Sequence, residues 1–178
     1  MMAAPSSVRC SSRSIRIPRA AAILGFSLLA ACAEYLGTSF SEIPPPEIAG
    51  RDVRPGARCW LETVNNTQPG APWQLSRGHR VNFRGWALDG ATLSSSDWLV
   101  VALTKAGGGK RYYATTWARA TRDDVARELG AAAASARPGF DLTGTLQQVQ
   151  PGTYDIDVVV GAPEGPVSCA TGRQLVAM

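Results

Sequence analysis

The chain has few of the residues that usually carry catalysis or bind metal ions. Its 178 residues include one histidine, His79, and four cysteines, and these form no Cys/His cluster with the spacing of zinc ligands. There is no Gly-x-Ser-x-Gly motif for a nucleophilic serine, and no glycine-rich turn between a strand and a helix to hold a phosphate. We therefore expect a protein that binds or scaffolds rather than an enzyme, with no cofactor and no metal.

Two polar features leave a hydrolase as an alternative. His79 would have to serve in any Ser-His-Asp arrangement, although a lone histidine at the start of a strand is more typical of an exposed side chain. Asp155 and Asp157 lie two residues apart, which on a strand places both carboxylates on one face about 7 Å apart. That spacing suits calcium or acid-base chemistry, but a solvated strand face is the simpler interpretation.

The chain also lacks an apolar run long enough to cross a membrane. Residues 20–31 form a 12-residue apolar stretch interrupted only by Gly25 and Ser27, whereas a transmembrane helix needs about 20 residues. Four arginines and no acidic residue precede this stretch, and small residues end it. This order of a positive, an apolar and a small-residue region is typical of an export signal.

The end of the apolar stretch, Leu29-Ala30-Ala31-Cys32, resembles the lipobox of bacterial lipoproteins. The resemblance implies that cleavage falls between Ala31 and Cys32, that the Cys32 sulfur carries diacylglycerol, and that the new amino terminus is also acylated. In this family an Asp after the modified cysteine favours retention in the inner membrane. Ala33 stands there instead, which implies attachment to an outer membrane, with the periplasmic face favoured. The alternative is an ordinary signal peptide cut after Ala31 or Ala33, which leaves a soluble secreted protein.

Removal of residues 1–31 takes away the excess of positive charge. Four of the 18 lysines and arginines lie there, so residues 32–178 contain 14 basic and 14 acidic residues. A nucleic-acid-binding protein needs clustered positive charge to displace counterions from phosphates. We therefore expect no nucleic-acid partner, and we expect the membrane to be reached through the lipid.

The four cysteines indicate an oxidising compartment. Cys10 leaves with the signal and Cys32 is taken by lipid, so Cys59 and Cys169 are the two that remain to pair. A disulfide between them would close a loop of about 110 residues and stabilise the fold by about 4 to 5 kcal/mol in the chain-entropy model. The alternative is two unpaired cysteines, each buried beside apolar strand residues.

The chain divides into three parts. Residues 1–31 are the lipoprotein signal peptide, and residues 32–57 are the lipidated cysteine and a flexible tether. Ser, Gly and the Pro44-Pro45-Pro46 run dominate that tether, and the prolines favour an extended conformation. Residues 58–178 are the folded domain.

The apolar residues of the folded domain mostly alternate with polar ones, as in strands. Eight runs fit this pattern: Cys59–Val64, His79–Leu88, Trp98–Lys105, Arg111–Ala118, Phe140–Val149, Thr153–Val160, Pro166–Ala170 and Gln174–Ala177. Gly85 is expected at a β-bulge, because the alternation changes phase there. One short helix is expected after Thr121 as its cap, with Asp123 and Asp124 at its positive end and an apolar stripe of Val125, Leu129, Ala132 and Ala133.

A second resemblance concerns residues 80–160. Their signatures follow the order found in small immunoglobulin-like modules attached to bacterial glycan-modifying enzymes: Gly85-Trp86-Ala87-Leu88-Asp89, Arg119, Arg122-Asp123-Asp124-Val125-Ala126, Gly139-Phe140 and Pro151-Gly152-Thr153-Tyr154. This implies a mainly β fold, an antiparallel immunoglobulin-like sandwich of about seven or eight strands with one short helix. Local packing, capping and turns also account for these motifs.

The five tryptophans are the best source of a binding surface. Trp60, Trp86, Trp98 and Trp117 lie in predicted strands, where a core role is expected. Trp73 lies in a polar loop and, if exposed, is the best candidate for contact with a ligand, although anchoring of the loop by its apolar ring is the favoured role. The expected partner is a cell-wall glycan or an envelope protein, which includes the possibility of an enzyme inhibited by this module.

Acylation of Cys32 is directly testable. The intact mass of the purified protein should equal residues 32–178 plus the acyl groups, and the protein should sediment with membranes. Cys32→Ser should remain unacylated and lose stable membrane attachment. An unmodified Cys32 thiol on a freely diffusing product contradicts the prediction.

Overall fold

A computed structural model describes residues 38–130 and 137–178. These residues form strands and one helix: β1 (Thr38–Ser39), β2 (Arg54–Pro55), β3 (Ala57–Val64), β4 (Trp73–Leu75), β5 (Arg80–Asp89), β6 (Leu99–Lys105), β7 (Arg111–Thr116), β8 (Arg119–Ala120), α1 (Asp123–Leu129), β9 (Gly139–Thr145), β10 (Gly152–Val160) and β11 (Val167–Ala177). The predicted mainly β class is confirmed. The export signal and Cys32 lie outside the described residues, as do Ala132 and Ala133 of the predicted helix. The helix of the described part is too short and too polar to cross a membrane.

The strands form two sheets. Sheet A has the order β1-β9-β5-β3, with β8 also paired to β9, and sheet B has the order β2-β11-β10-β6-β7, with β4 also paired to β11. The long ladders are antiparallel, as expected. However, β1 pairs with β9, and β2 and β4 pair with β11, in parallel. Both sheets are therefore mixed, because two- and three-residue segments, too short to show an alternation in the sequence, add to their edges.

The last two predicted strands are one continuous strand, β11. Its pairing with β10 shifts register between Ile156 and Asp157, where Thr171 and Gly172 form an irregularity in β11. The Thr171 hydroxyl donates to the Ile156 carbonyl at 2.6 Å. Gly172 has φ of 65°, a conformation that favours glycine, and this interruption of the alternation is what separated the two predicted runs.

The core lies between the two sheets. In β10 the predicted alternation is confirmed, because Tyr154, Ile156, Val158 and Val160 are at most 1% exposed while Asp155 is exposed. The rings of Tyr112 and Tyr154 meet edge to face with centroids 5.8 Å apart, and the Tyr154 hydroxyl donates to the Gln150 carbonyl at 2.8 Å. The buried rings therefore pack tightly and keep their polar groups paired.

The disulfide predicted between Cys59 and Cys169 is confirmed, with the two Cα atoms 6.0 Å apart. Cys59 belongs to β3 of sheet A and Cys169 to β11 of sheet B. The bond therefore joins the two sheets across the core, and the alternative of two unpaired cysteines is wrong.

Residues 38–57 differ from the flexible tether that the sequence predicts. Phe40 is fully buried, and its ring centroid lies 5.6 Å from that of Phe83 in the core. Ile48 is 6% exposed and packs with Val100 and Val159 on the outer face of sheet B. Burying each of these side chains contributes about 2 kcal/mol, which is part of what offsets the backbone entropy of ordering this segment. We call residues 40–55 the strap.

The proline run does not continue as an extended helix. The Pro45 carbonyl accepts hydrogen bonds from the amides of Ile48 at 3.0 Å and Ala49 at 2.9 Å. Pro46 can start such a turn because the first residues of a helical turn need no amide donor. The turn directs Ile48 onto sheet B, so the strap crosses that face between β1 and β2.

The predicted helix forms, but its ends differ from the prediction. Arg122 rather than Thr121 holds the N-cap position, and no side chain caps the helix. Asp123 and Asp124 occupy the first turn as predicted. Gly130 ends the helix in the left-handed conformation, which glycine adopts without steric cost.

The expected bulge lies on the neighbouring strand. The register of β3 with β5 shifts between Leu61 and Thr63, so Glu62 is the extra residue, and Gly85 stays in the ladder opposite Leu61. Gly85 is needed for close approach: an added Cβ would lie 2.2 Å from the Trp60 carbonyl oxygen and 3.1 Å from the Phe140 ring. The predicted bulge at Gly85 is therefore wrong, and the bulge lies at Glu62 on the paired strand.

We predict that Gly85→Ala destabilises the protein by about 2 to 3 kcal/mol, because the added methyl group overpacks the junction of β3, β5 and β9. Gly78→Ala is the matched control, since an added Cβ there meets no described atom within 4 Å. Urea unfolding midpoints compare the two variants. Equal midpoints for Gly85→Ala and the wild-type protein would contradict this packing.

Candidate functional site

The residues of the hydrolase alternative are not brought together. His79 is exposed and its amide donates to the Ser76 carbonyl at 3.2 Å. Asp155 and Asp157 do share a face of β10, but Asp155 accepts from Gln174 at 2.8 Å, whereas Asp157 pairs with Arg111 at 3.2 Å. Burial raises the pKa of Asp157, with Arg111 opposing that shift and Asp155 adding to it. Each aspartate is thus held by a different partner on sheet B.

Trp73 is not the exposed ligand contact that the sequence suggests. Its side chain is 7% exposed, and its indole Nε1 donates to the Thr67 carbonyl at 3.2 Å. The ring belongs to the main core. The alternative role, anchoring of the loop, is the one that the structure supports.

Two other tryptophans are exposed instead. Trp60 is 47% and Trp117 is 60% exposed, so the core role expected for them is wrong. Trp86 and Trp98 are partly buried. For Trp60 the reason is the alternation of β3, because Cys59 and Leu61 point into the core and Trp60 must then point outward. An exposed Trp60 could therefore have been predicted from the sequence, by combining the expected disulfide with the alternation of side chains along a strand.

Trp60 has a second tryptophan directly beside it. In the antiparallel pairing of β3 with β5, Trp60 lies opposite Trp86, and directly opposite residues point to the same face of a sheet. The same row continues with Gly139 on β9 and Ala120 on β8. We call this outer surface of sheet A, formed by Trp60 and Trp86, the Trp60 face.

A chain of ion pairs crosses the Trp60 face. Arg122 donates from Nη1 to Glu62 and from Nη2 to Asp124, each at 2.7 Å. Its stem covers Gly139, because an added Cβ there would lie 3.0 Å from Arg122 Cγ. Since β5 lies between β3 and β9, the pair between Arg122 and Glu62 spans β5. Trp60, on the edge strand β3, stays open.

These contacts shift the pKa values of the paired groups. The hydrogen bonds to Asp124 and Glu62 raise the pKa of Arg122. The same contact lowers the pKa of Asp124 from 3.8 to about 2. Both groups therefore stay charged near neutral pH and hold one geometry at the edge of the face.

Further polar groups flank the two rings. The Arg173 guanidinium lies 5.1 Å from the Trp60 ring centroid, a distance typical of a cation–π contact. Arg84 donates from Nε to Asp141 at 2.7 Å, two residue pairs along from Trp86. A cavity of about 300 Å³ lies between Arg173 and the loop of residues 70–73, and neither Trp60 nor Trp86 lines it. Arg173, Arg84 and Asp141 are thus the polar groups beside the two rings.

Arg119, part of the immunoglobulin-like resemblance, is a structural residue. It is 5% exposed and donates from Nη2 to the Ala87 carbonyl at 2.7 Å. Burial, with a contribution from Arg137, lowers its pKa to about 10, so it is charged at neutral pH. Because Ala87 lies on β5, this bond ties β8 to the strand on the far side of β9.

Chemically, the Trp60 face can stack a flat ligand and hydrogen-bond its edges. The described residues hold no group of three or more His, Cys, Asp or Glu side chains arranged to bind a metal ion. Comparisons with protein-family models, with curated proteins and with solved structures find no match to this chain. The proposed function therefore rests on the geometry of the Trp60 face.

We predict a pH-dependent contribution of the Arg122–Asp124 pair. Because the folded state lowers the pKa of Asp124, the pair stabilises the protein above about pH 4, and this stabilisation is lost as the pH falls toward 2. Asp124→Asn should thus lower the urea midpoint at pH 7, and the difference from the wild-type protein should narrow between pH 4 and pH 2.

Asp123→Asn is the control for this experiment. It removes a carboxylate from the same helical turn, and Asp123 is in none of the ion pairs found among residues 38–130 and 137–178. A difference for Asp124→Asn that stays constant down to pH 2, or that Asp123→Asn reproduces, would argue against the pair.

Proposed function

We propose that this protein is a bacterial envelope lipoprotein, anchored through Cys32, whose domain binds cell-wall glycan through the Trp60 face without catalysing a reaction. The observation that carries this proposal is the cross-strand pair of Trp60 and Trp86 on the outside of sheet A. Single exposed apolar side chains are common on protein surfaces, whereas adjoining ones form a patch of the kind that marks a binding site.

The shape of this surface favours a sugar ring as the ligand. Aromatic rings offer a rigid apolar plane with little entropy to lose on binding, and the C–H face of a pyranose is a flat apolar surface of similar size. Trp60 is the more open of the two rings, so it would make the main stacking contact. Trp86 would extend the plane beside it.

The charges around the rings favour a neutral polyhydroxyl ligand. Glu62, Arg122 and Asp124 form one connected group, and Arg84 pairs with Asp141. Paired groups of opposite sign present donors and acceptors without a large net charge, which suits hydroxyl groups better than phosphates. The same balance argues against a nucleic-acid partner.

The fold is consistent with an envelope location. We interpret the two sheets as an immunoglobulin-like sandwich, which the disulfide between sheets supports, and a disulfide of this kind forms in an oxidising compartment such as the periplasm. With Ala33 after the lipobox cysteine, we place the protein on the periplasmic side of the outer membrane.

The binding proposal is tested with purified peptidoglycan sacculi and the detergent-solubilised mature protein. The wild-type protein should be retained, and Trp60→Ala should reduce retention about tenfold, equivalent to about 1.4 kcal/mol of binding free energy. Trp117→Ala is the matched control, because it removes a still more exposed indole at another edge and should leave retention unchanged.

Two results would overturn the glycan assignment. One is a wild-type protein that sacculi do not retain, and the other is a Trp60→Ala variant retained like the wild-type protein. Crosslinking that yields one dominant envelope protein at Trp60 would then assign the surface to a protein partner, including an inhibited enzyme.

A further inference from the structure

Trp117 is the most exposed tryptophan of the described residues, at 60%, and neither the core nor the Trp60 face uses it. It lies between the end of β7 at Thr116 and the start of β8 at Arg119. Its neighbours on both sides are fixed. The Thr116 hydroxyl donates to the Asp141 carbonyl at 3.0 Å, and Arg119 is buried. The indole is therefore held out from a rigid edge rather than from a loose loop.

The first described residues of the chain lie at this same edge. β1 pairs with β9 at Gly144 and Thr145, and β8 pairs with β9 at Gly139 and Phe140. Because β5 occupies the other side of β9, β1 and β8 lie on one side of β9. Trp117 comes just before β8, so it belongs to that side.

The direction of β1 brings its amino end toward Trp117. Ser41 pairs antiparallel with Tyr113, and the Thr38 hydroxyl donates to the Thr115 carbonyl at 3.2 Å. Going back along the chain from Ser41 to Thr38 therefore runs forward along β7. Thr38, at the start of the described chain, lies beside a residue only two positions from Trp117.

The chain between the proposed lipid and Thr38 is short. Six residue steps separate Cys32 from Thr38, and such a segment spans at most about 20 Å. The flexible tether predicted over residues 32–57 is shorter than expected, because the strap is packed on the domain from Phe40 onward. An acylated Cys32 would hold this edge of the domain close to the bilayer.

We propose that Trp117 is a second membrane contact, which inserts its indole into the interface of the bilayer that carries the Cys32 lipid. This inference rests on the proposed lipid anchor. Tryptophan concentrates at the boundary of headgroups and acyl chains, where its ring is partly apolar and its N–H can hydrogen-bond. One indole binds weakly by itself, but a tether of about 20 Å gives it a high effective concentration at the surface.

This contact would also orient the Trp60 face. β3 lies at the edge of sheet A opposite β1 and β8, and three strand spacings correspond to about 14 Å. With Trp117 at the membrane, Trp60 lies on the edge remote from the bilayer. The glycan surface and the membrane contact can then be occupied together.

The test uses the mature acylated protein reconstituted in vesicles of phosphatidylethanolamine and phosphatidylglycerol with brominated acyl chains, which quench nearby indoles. We expect quenching of the wild-type fluorescence, with at least half of it lost in Trp117→Ala. Trp60→Ala should keep the quenching, because that indole lies at the far edge. Unfolding midpoints equal to that of the wild-type protein establish that both variants are folded.

A second variant tests the role of the short tether. Twenty Gly and Ser residues inserted before Thr38 should lower the quenching, because the longer tether lowers the effective concentration of Trp117 at the surface. Acylated protein whose quenching is unchanged by Trp117→Ala overturns the membrane contact and leaves the lipid anchor intact. A mass that shows no acyl group on Cys32 overturns the anchor itself, so the two failures are distinguishable.

Discussion

The bond between Cys59 and Cys169 sets the orientation of β3, and the candidate surface depends on that orientation. A strand places successive side chains on opposite faces, so an inward Cys59 requires an outward Trp60 and an inward Leu61. The same bond holds sheet A against sheet B across the core. A shift of β3 by one residue would bury Trp60 and expose Leu61, which the disulfide prevents.

The bulge at Glu62 adds the polar part of the surface. Glu62 is the extra residue in β3 and has no Cα partner on β5. Its carboxylate pairs with Arg122 at 2.7 Å. Arg122 lies at the start of α1, so the helix is tied to the outer face of sheet A. Exposed ion pairs add little stability, and the main effect here is to fix donors and acceptors beside the rings.

The strap changes how the domain relates to the rest of the chain. It crosses sheet B from β1 to β2 and buries Phe40 and Ile48, so the folded unit begins earlier than composition suggests. Pro, Gly and Ser are common in flexible linkers, but here the buried Phe40 and Ile48 and the strand pairings of β1 and β2 together hold the segment on the sheets. In the proposed anchoring through Cys32, the tether therefore has only a few residues, and the side of the domain that holds Trp117 faces the membrane.

The sequence alone determined the mainly β class, most of the long strands, the short helix and the pairing of Cys59 with Cys169, because period-two patterns and cysteine number are local properties of the chain. Only the tertiary structure decided which tryptophans are buried. Trp73 is covered although its loop is polar, and Trp60 is open although its strand is apolar, because exposure depends on which face a strand turns toward its neighbours. The short parallel strands and the strap were likewise decided by contacts between residues far apart in the chain, such as Phe40 with Phe83, which no local pattern encodes.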